Sequence, residues 1–128
     1  MIVCIRWDTI QGVEKMNQPQ FNWGSEFDLY LERLDMIDNA KLIARIKAIQ
    51  DHGMIVAIRK RWVEKLGDNL YEIRADSKGR FMRGIYFQVK DNDYWITHGF
   101  DKKTNKTPKK EIIKSINIRD SINRKSRE

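Results

Sequence analysis

LYEIRADSKGRFMRGIYFQVKDNDYWITHGF, residues 70–100, decides how the rest of the chain is read. Leu70 to Ala75 alternates, with Tyr71 and Ile73 on one side and Glu72 and Arg74 on the other, the period of a strand. Asp76-Ser77-Lys78-Gly79 is turn chemistry. Phe81 to Val89 is a second β-rich run, Lys90-Asp91-Asn92-Asp93 turns it, and Tyr94 to Phe100 is a third. Three closely spaced strands joined by tight turns predict an antiparallel meander over 69–100. In this reading Tyr94, Ile96, His98 and Phe100 share one face of the third strand.

Upstream, the apolar period changes. Phe27, Tyr30, Leu31 and Leu34 fall at i, i+3, i+4 and i+7. Ser25 stands as N-cap, with Glu26 and Asp28 complementing the helix dipole. A second helix follows Asp38 or Asn39, carries Leu42, Ile43, Ile46 and Ile49 on one stripe and stops at Gly53. Residues 24–53 therefore read as a helical hairpin. Residues 1–23 read as an N-terminal strand or extension at Ile2 to Trp7, then a polar loop from Gln11 to Trp23. Downstream, Thr107-Pro108 opens a C-terminal helix over 107–122, Thr as N-cap and Pro at the first position, with Ile112, Ile113, Ile116 and Ile122 apolar. The predicted class is α+β: two N-terminal helices packed on a small twisted antiparallel β-sheet, with a short basic C-terminal helix.

Composition sets the outer limits. At 128 residues the chain reads as a single domain, 1–128. Apolar residues at 41% and charged residues at 34%, with 7 Gly and 2 Pro, exclude collagen-like and low-complexity chains. No apolar stretch approaches the roughly 20 residues of a membrane span, and the first seven residues lack a signal-peptide core. One cysteine, Cys4, forms no internal disulfide. The expected location is cytoplasmic, with no membrane partner. The net charge of +7 is unevenly placed. Residues 1–101 hold fifteen basic and fifteen acidic side chains, and residues 102–128 hold ten against three. Such asymmetry points to a polyanionic partner or to a solvated basic face.

Several chemistries drop out. His52, His98 and Cys4 have no zinc-ligand spacing, no phosphate-cradling glycine loop is present, and no Ser or Cys sits in a nucleophile motif. No metal and no cofactor is expected. What remains is a cationic cluster: Arg74 at the end of the first meander strand, Arg83 in the second, Lys102 and Lys103 after the third. Neighbouring strands lie about 4.8 Å apart, so these groups converge if they share a face. Guanidinium groups grip phosphate with two hydrogen bonds, and RNA carries its own nucleophile in the 2′-hydroxyl. The plainer alternative is ion pairing of Arg74 and Arg83 with Glu72, Asp76 or Asp93.

Leu70-Tyr71-Glu72-Ile73-Arg74, Arg83-Gly84-Ile85-Tyr86-Phe87 and Thr97-His98-Gly99-Phe100-Asp101-Lys102-Lys103-Thr104-Asn105-Lys106-Thr107-Pro108-Lys109-Lys110-Glu111-Ile112 together resemble the signature of HigB-type toxins, the phage-derived branch of the RelE/ParE superfamily. The resemblance spans about residues 24 to 120. It implies a toxin of a type II toxin–antitoxin system, a ribosome-dependent mRNA endonuclease or mRNA interferase that inhibits translation. Its implied partners are a helix-turn-helix, HigA-like antitoxin, held in a hetero-oligomer, and the ribosome with its mRNA. Residue by residue, Arg83 matches the arginine that contacts the scissile phosphate, Arg74 the arginine ending the preceding strand, and Tyr86 the strand aromatic. Lys102 and Lys103 match the basic residue after the last strand. The tyrosine that RelE itself uses near its C-terminus has no counterpart after Phe100. The fold also houses toxins of the ParE kind, which poison DNA gyrase without nuclease chemistry, and a binding module that has lost activity is a third reading.

Glu72 reads either as a base or as a carboxylate orienting the arginines. His98 reads either as an acid–base group or as a hydrogen-bonded core histidine. Lys106, Lys109 and Lys110, and separately Arg59-Lys60-Arg61, read as RNA-backbone contacts or as solvated charge. Trp62 and Trp95 offer rings for base stacking or for the core, with Trp95 the more central of the two.

Overall fold

A computed structural model describes residues 18–127, with side chains through Lys125. The predicted strand at Ile2 to Trp7 and Cys4 lie outside the described residues. The element order is β1 (Gln20–Trp23), α1 (Ser25–Arg33), α2 (Met36–His52), α3 (Met54–Arg59), β2 (Val63–Gly67), β3 (Leu70–Ser77), β4 (Arg80–Lys90), β5 (Asp93–Asp101) and α4 (Lys109–Arg127). The five strands form one sheet in the order β1-β5-β4-β3-β2.

The meander forms as the alternation predicts. β3, β4 and β5 pair antiparallel through two-residue turns at Lys78-Gly79 and Asp91-Asn92, where Gly79 (φ 80°) and Asp91 (φ 52°) take the left-handed conformation such turns need. The sheet is nevertheless mixed, not purely antiparallel. β1 lies parallel to β5, with Phe21 opposite Tyr94. It falls inside the stretch read as loop, because a four-residue strand with one buried residue, Phe21, has no period of its own. Partners supply its order: the Phe21 N–H donates to Gln50 Oε1 (3.0 Å) and the Gln20 N–H to the Asn92 carbonyl (2.8 Å). β2 adds a fifth strand beside β3, antiparallel, and α3 is a further helix between Gly53 and the sheet.

Helix boundaries differ in physically simple ways. Gly24, not Ser25, is the N-cap of α1, and no side chain caps it. α2 begins at Met36, before the predicted start, because the Asp35 carboxylate accepts the Asp38 N–H (2.7 Å) and caps a first turn whose Met36 and Ile37 face solvent. Gly53 ends α2 at φ 90° as expected. The two helices pack chiefly on the sheet, α1 against β5 and α2 against β3. α4 is longer than the predicted short helix, and it covers the opposite face with Ile112 and Ile116 over Leu70, Ile85 and Phe100. The larger core lies between the sheet and α1–α3, with Phe27, Leu42, Ile46, Ile49, Ile73, Met82, Tyr86 and Ile96 at its centre.

One irregularity redirects a whole strand. Tyr86 pairs with Ile96 but Ile85 pairs with His98, so Thr97 is an extra residue in β5. Its hydroxyl donates to the Ile85 carbonyl (3.1 Å), which fixes the bulge. Beyond it the faces exchange: Tyr94 and Ile96 point to α1–α3, whereas Phe100 points to α4. The shared face predicted for Tyr94, Ile96, His98 and Phe100 does not exist.

Candidate functional site

β4 is the central strand, and on its α4-facing side Arg83 stands on a rung between Arg74 of β3 and Phe100 of β5. A cleft of about 240 Å³ opens there, lined by Arg74, Asp76, Phe81, Arg83, Lys102, Lys103, Thr104 and Asn105. Four cations and a single carboxylate share this lining. Arg83 is 3% exposed, and its guanidinium sits 5.9 Å from the Phe81 ring. Its Nη1 donates to Asp76 Oδ1 (2.7 Å) and to the Met82 carbonyl (2.9 Å), while its buried Nε has no acceptor among the described residues. A buried donor without an acceptor is costly.

Glu72 holds the rear wall. It is fully buried, accepts the Thr107 hydroxyl at Oε1 (2.7 Å) and places Oε2 3.6 Å from the Lys102 ammonium, itself buried. Thr107, read as an N-cap, instead ties the segment ahead of α4 to β3. The Lys102 N–H donates to the Phe81 carbonyl (2.8 Å), so this lysine is fixed by its main chain as well. Glu72 is therefore an orienting group, out of reach of a substrate proton.

The predicted residues divide cleanly. Arg74, Arg83, Lys102 and Lys103 line one cleft, with Glu72 behind them. The plainer ion pairs exist too: Arg83 with Asp76, and Arg74 with Glu64 at 3.9 Å. Tyr86 does not join them. It points to the opposite face, buried among Phe21, Tyr71 and Tyr94, and its hydroxyl meets Met54 Sδ (3.4 Å). Burial, then the neighbouring tyrosines, push its phenol far above the usual range. Tyr86 is a core residue.

His98 is buried outside the cleft, near the outer edge of β5. Thr97 Oγ1 already donates to Ile85, so the Thr97–His98 contact at 3.0 Å makes His98 Nδ1 the donor and leaves Nε2 bare. Desolvation first, then the Lys114 charge, lower its pKa to about 4. Glu111 lies 3.8 Å from Nε2, a distance that becomes an ion pair only when the ring is protonated, so near neutral pH none exists. The ring is neutral, 2% exposed and turned away from the cationic cleft. Gly99, next along, lies flat under the Tyr30 ring; any Cβ there would overlap that ring, whose hydroxyl is held by Asp101 (2.6 Å).

Lys106, Lys109 and Lys110 are exposed on the loop and first turn that follow Asn105 at the cleft rim. Arg59, Lys60 and Arg61 are exposed at the end of α3, away from that loop. Trp62 is half-buried beside them, and Trp95 packs over Gly24. Asp76, Phe81, Thr104 and Asn105 were not among the expected cleft residues. Asp76, two residues after Arg74, and Phe81, two residues before Arg83, were within reach of strand alternation on the same face; Thr104 and Asn105 depend on the path of the 102–107 loop.

No helix among the described residues is long and apolar enough to cross a membrane. No curated protein matches the chain. The family described as Phage derived protein Gp49-like (DUF891) matches residues 29–119, from α1 into α4, a span that includes every residue of the cleft. The chain thus belongs to the phage-derived Gp49-like family, within the RelE/HigB-type toxin superfamily.

Proposed function

We propose that the protein is the toxin of a HigB-like toxin–antitoxin pair and cleaves mRNA on the ribosome. The observation that carries this reading is the buried Arg83 guanidinium with its free Nε, set in a cleft with Arg74, Lys102 and Lys103. In the proposed reaction the RNA 2′-oxygen attacks the adjacent phosphorus. A 2′-O–P bond forms and the P–O5′ bond breaks, the departing O5′ taking a proton from water, which leaves a 2′,3′-cyclic phosphate and a 5′-hydroxyl end. Arg83 binds the non-bridging oxygens with its planar fork, and Arg74 and the lysines stabilise the extra negative charge of the transition state. Asp76 is the acidic side chain of the cleft lining, so it receives the 2′-hydroxyl proton in place of buried Glu72. Lys106, Lys109 and Lys110 extend the positive surface toward ribosomal RNA.

The test is induction of the chain without an antitoxin, followed by mapping of new 5′ ends on translated and untranslated transcripts. New ends confined to translated messages are expected. Intact mRNA accompanied by DNA breaks would transfer the protein to the gyrase-poisoning class.

A further inference from the structure

A second groove, of about 410 Å³, lies on the helix side of the sheet and is lined by Lys41, Ala44, Arg45, Ala48, Trp62, Ala75 and Asp76. Lys41, Ala44, Arg45 and Ala48 are spaced i, i+3, i+4 and i+7, so they form one face of α2. The two alanines there, with Ala75 of β3, leave open the space beside Trp62. The Trp62 ring has Arg45 5.1 Å and Lys60 5.7 Å from its centroid. His52 lies 5.9 Å away.

Asp76 lines both this groove and the cationic cleft. β2 pairs with β3 only as far as Val63 opposite Ile73, so among the described residues no strand pairs the edge of β3 from Arg74 onward. At that point the Trp62 carbonyl accepts the Arg74 N–H (2.7 Å), which places Trp62 next to the rung that carries Arg74 and Arg83. Asp76 and the β3 edge thus lie between the cleft and Trp62.

The turn that presents Trp62 is built to carry charge. The Trp62 N–H bonds the Ala57 carbonyl (2.9 Å) and the Arg61 N–H bonds the Ile58 carbonyl (3.1 Å), a Schellman cap of α3. Its left-handed position, φ 59°, is held by Arg61 where glycine is the favoured residue. Arg59, Lys60 and Arg61 are all exposed, and of the three Lys60 lies over the Trp62 ring.

We infer that Trp62, flanked by Arg45 and Lys60, is a stacking subsite for a base of the single-stranded RNA that flanks the phosphate bound at Arg83. Rings and guanidinium planes stack on any base, and the surrounding cations match the RNA backbone. The inference rests on the RNA-cleaving reading of the cleft. It adds a contact that selects single strands, since a base paired in a duplex does not splay onto a side chain.

The test uses short 2′-O-methyl oligoribonucleotides, which lack the attacking hydroxyl and stay intact, with one abasic position moved along the strand. Affinity is read by fluorescence anisotropy. For the wild-type chain, an abasic site at one position is expected to weaken binding roughly 5- to 150-fold. Trp62→Ala should lose that position dependence, binding every oligonucleotide like the weakest one. Trp62→Phe, which keeps the packing and a ring, should retain most of it, and Arg45→Gln should reduce it. Arg83→Ala should weaken binding at all abasic positions alike. If Trp62→Ala and Trp62→Phe keep the wild-type abasic profile while Arg83→Ala binds poorly, the stacking site is refuted and the phosphate cleft stands. If the wild-type chain binds none of the oligonucleotides, or binds them with no position dependence, the stacking site is refuted, while cleavage on the ribosome stands or falls by the mapping of new 5′ ends.

Discussion

The buried pair of Glu72 and Lys102 makes a sharp demand on stability. Each is shielded from water, and each is the other's charged partner at 3.6 Å. Glu72→Met leaves the Lys102 ammonium buried without a counter-charge; Lys102→Met leaves the Glu72 carboxylate with the Thr107 hydroxyl alone. Losing one member of a buried pair costs about 3–5 kcal/mol. If the sites were independent, the double change would cost about 6–10 kcal/mol, enough to unfold most small domains. Replacing both by methionine removes both charges from the interior and should cost no more than about 2 kcal/mol, since apolar substitutes for buried pairs are often neutral or better. The coupling energy should therefore be at least about 4 kcal/mol. Urea unfolding of the four proteins reads this directly: with a slope of about 2 kcal/mol per molar, each single variant shifts its midpoint down by about 2 M, and the double variant recovers most of the loss. Additive losses, or single variants within about 1 kcal/mol of wild type, would refute the claim that this pair holds the cleft's rear wall.

Gly99→Ala should cost about 3 kcal/mol or more, because the Tyr30 ring has no room to yield while Asp101 holds its hydroxyl, and Tyr30→Ala in the same chain should recover part of the loss in thermal unfolding. His98 carries a pH signature. Between about pH 6.5 and its folded pKa of about 4, the unfolded chain takes up a proton that the folded chain refuses, so stability falls as pH falls through that window, by up to about 3 kcal/mol. His98→Gln should flatten that slope in denaturation measured from pH 7 to 4; an unchanged slope contradicts the assignment. Neutralising Lys106, Lys109 and Lys110 together should leave thermal stability intact and lower the log–log salt slope of ribosome binding by about one unit per lost phosphate contact. An unchanged slope would mark these lysines as solvated charge only.

What could be read in advance followed from local regularity. The meander showed itself because residues 70–100 alternate and carry turn residues where two-residue turns form, and α1 and α2 because their apolar stripes are long. β1, β2 and α3 are four to six residues each and owe their form to partners across the fold, such as the Gln50 side chain on Phe21, which no local pattern announces. Arg74, Arg83, Lys102 and Lys103 were legible as one cluster because alternation put both arginines on one face and the lysines directly follow β5. Tyr86 was misplaced for the same physical reason: three residues from Arg83 along a strand is the opposite face. The bulge at Thr97 was invisible because a one-residue shift leaves composition untouched, yet it decides which side His98 and Phe100 occupy. Thr107 looked like a helix cap and is a side-chain clamp on Glu72, a contact between residues far apart in sequence.

The proposed cleavage depends most on Arg83. Purified protein is mixed with ribosomes stalled on a defined mRNA, and the rate of chain cleavage is followed by primer extension, with wild-type protein, Arg83→Ala and Arg83→Lys compared at matched ribosome occupancy and after each variant is shown to unfold at the wild-type temperature. Loss of a fixed donor to a developing oxyanion should slow cleavage by about 10²–10³-fold in Arg83→Ala, and Arg83→Lys should recover little, because a single ammonium cannot reproduce the two-pronged grip. A folded Arg83→Ala protein that cleaves at the wild-type rate would contradict the assignment of this cleft.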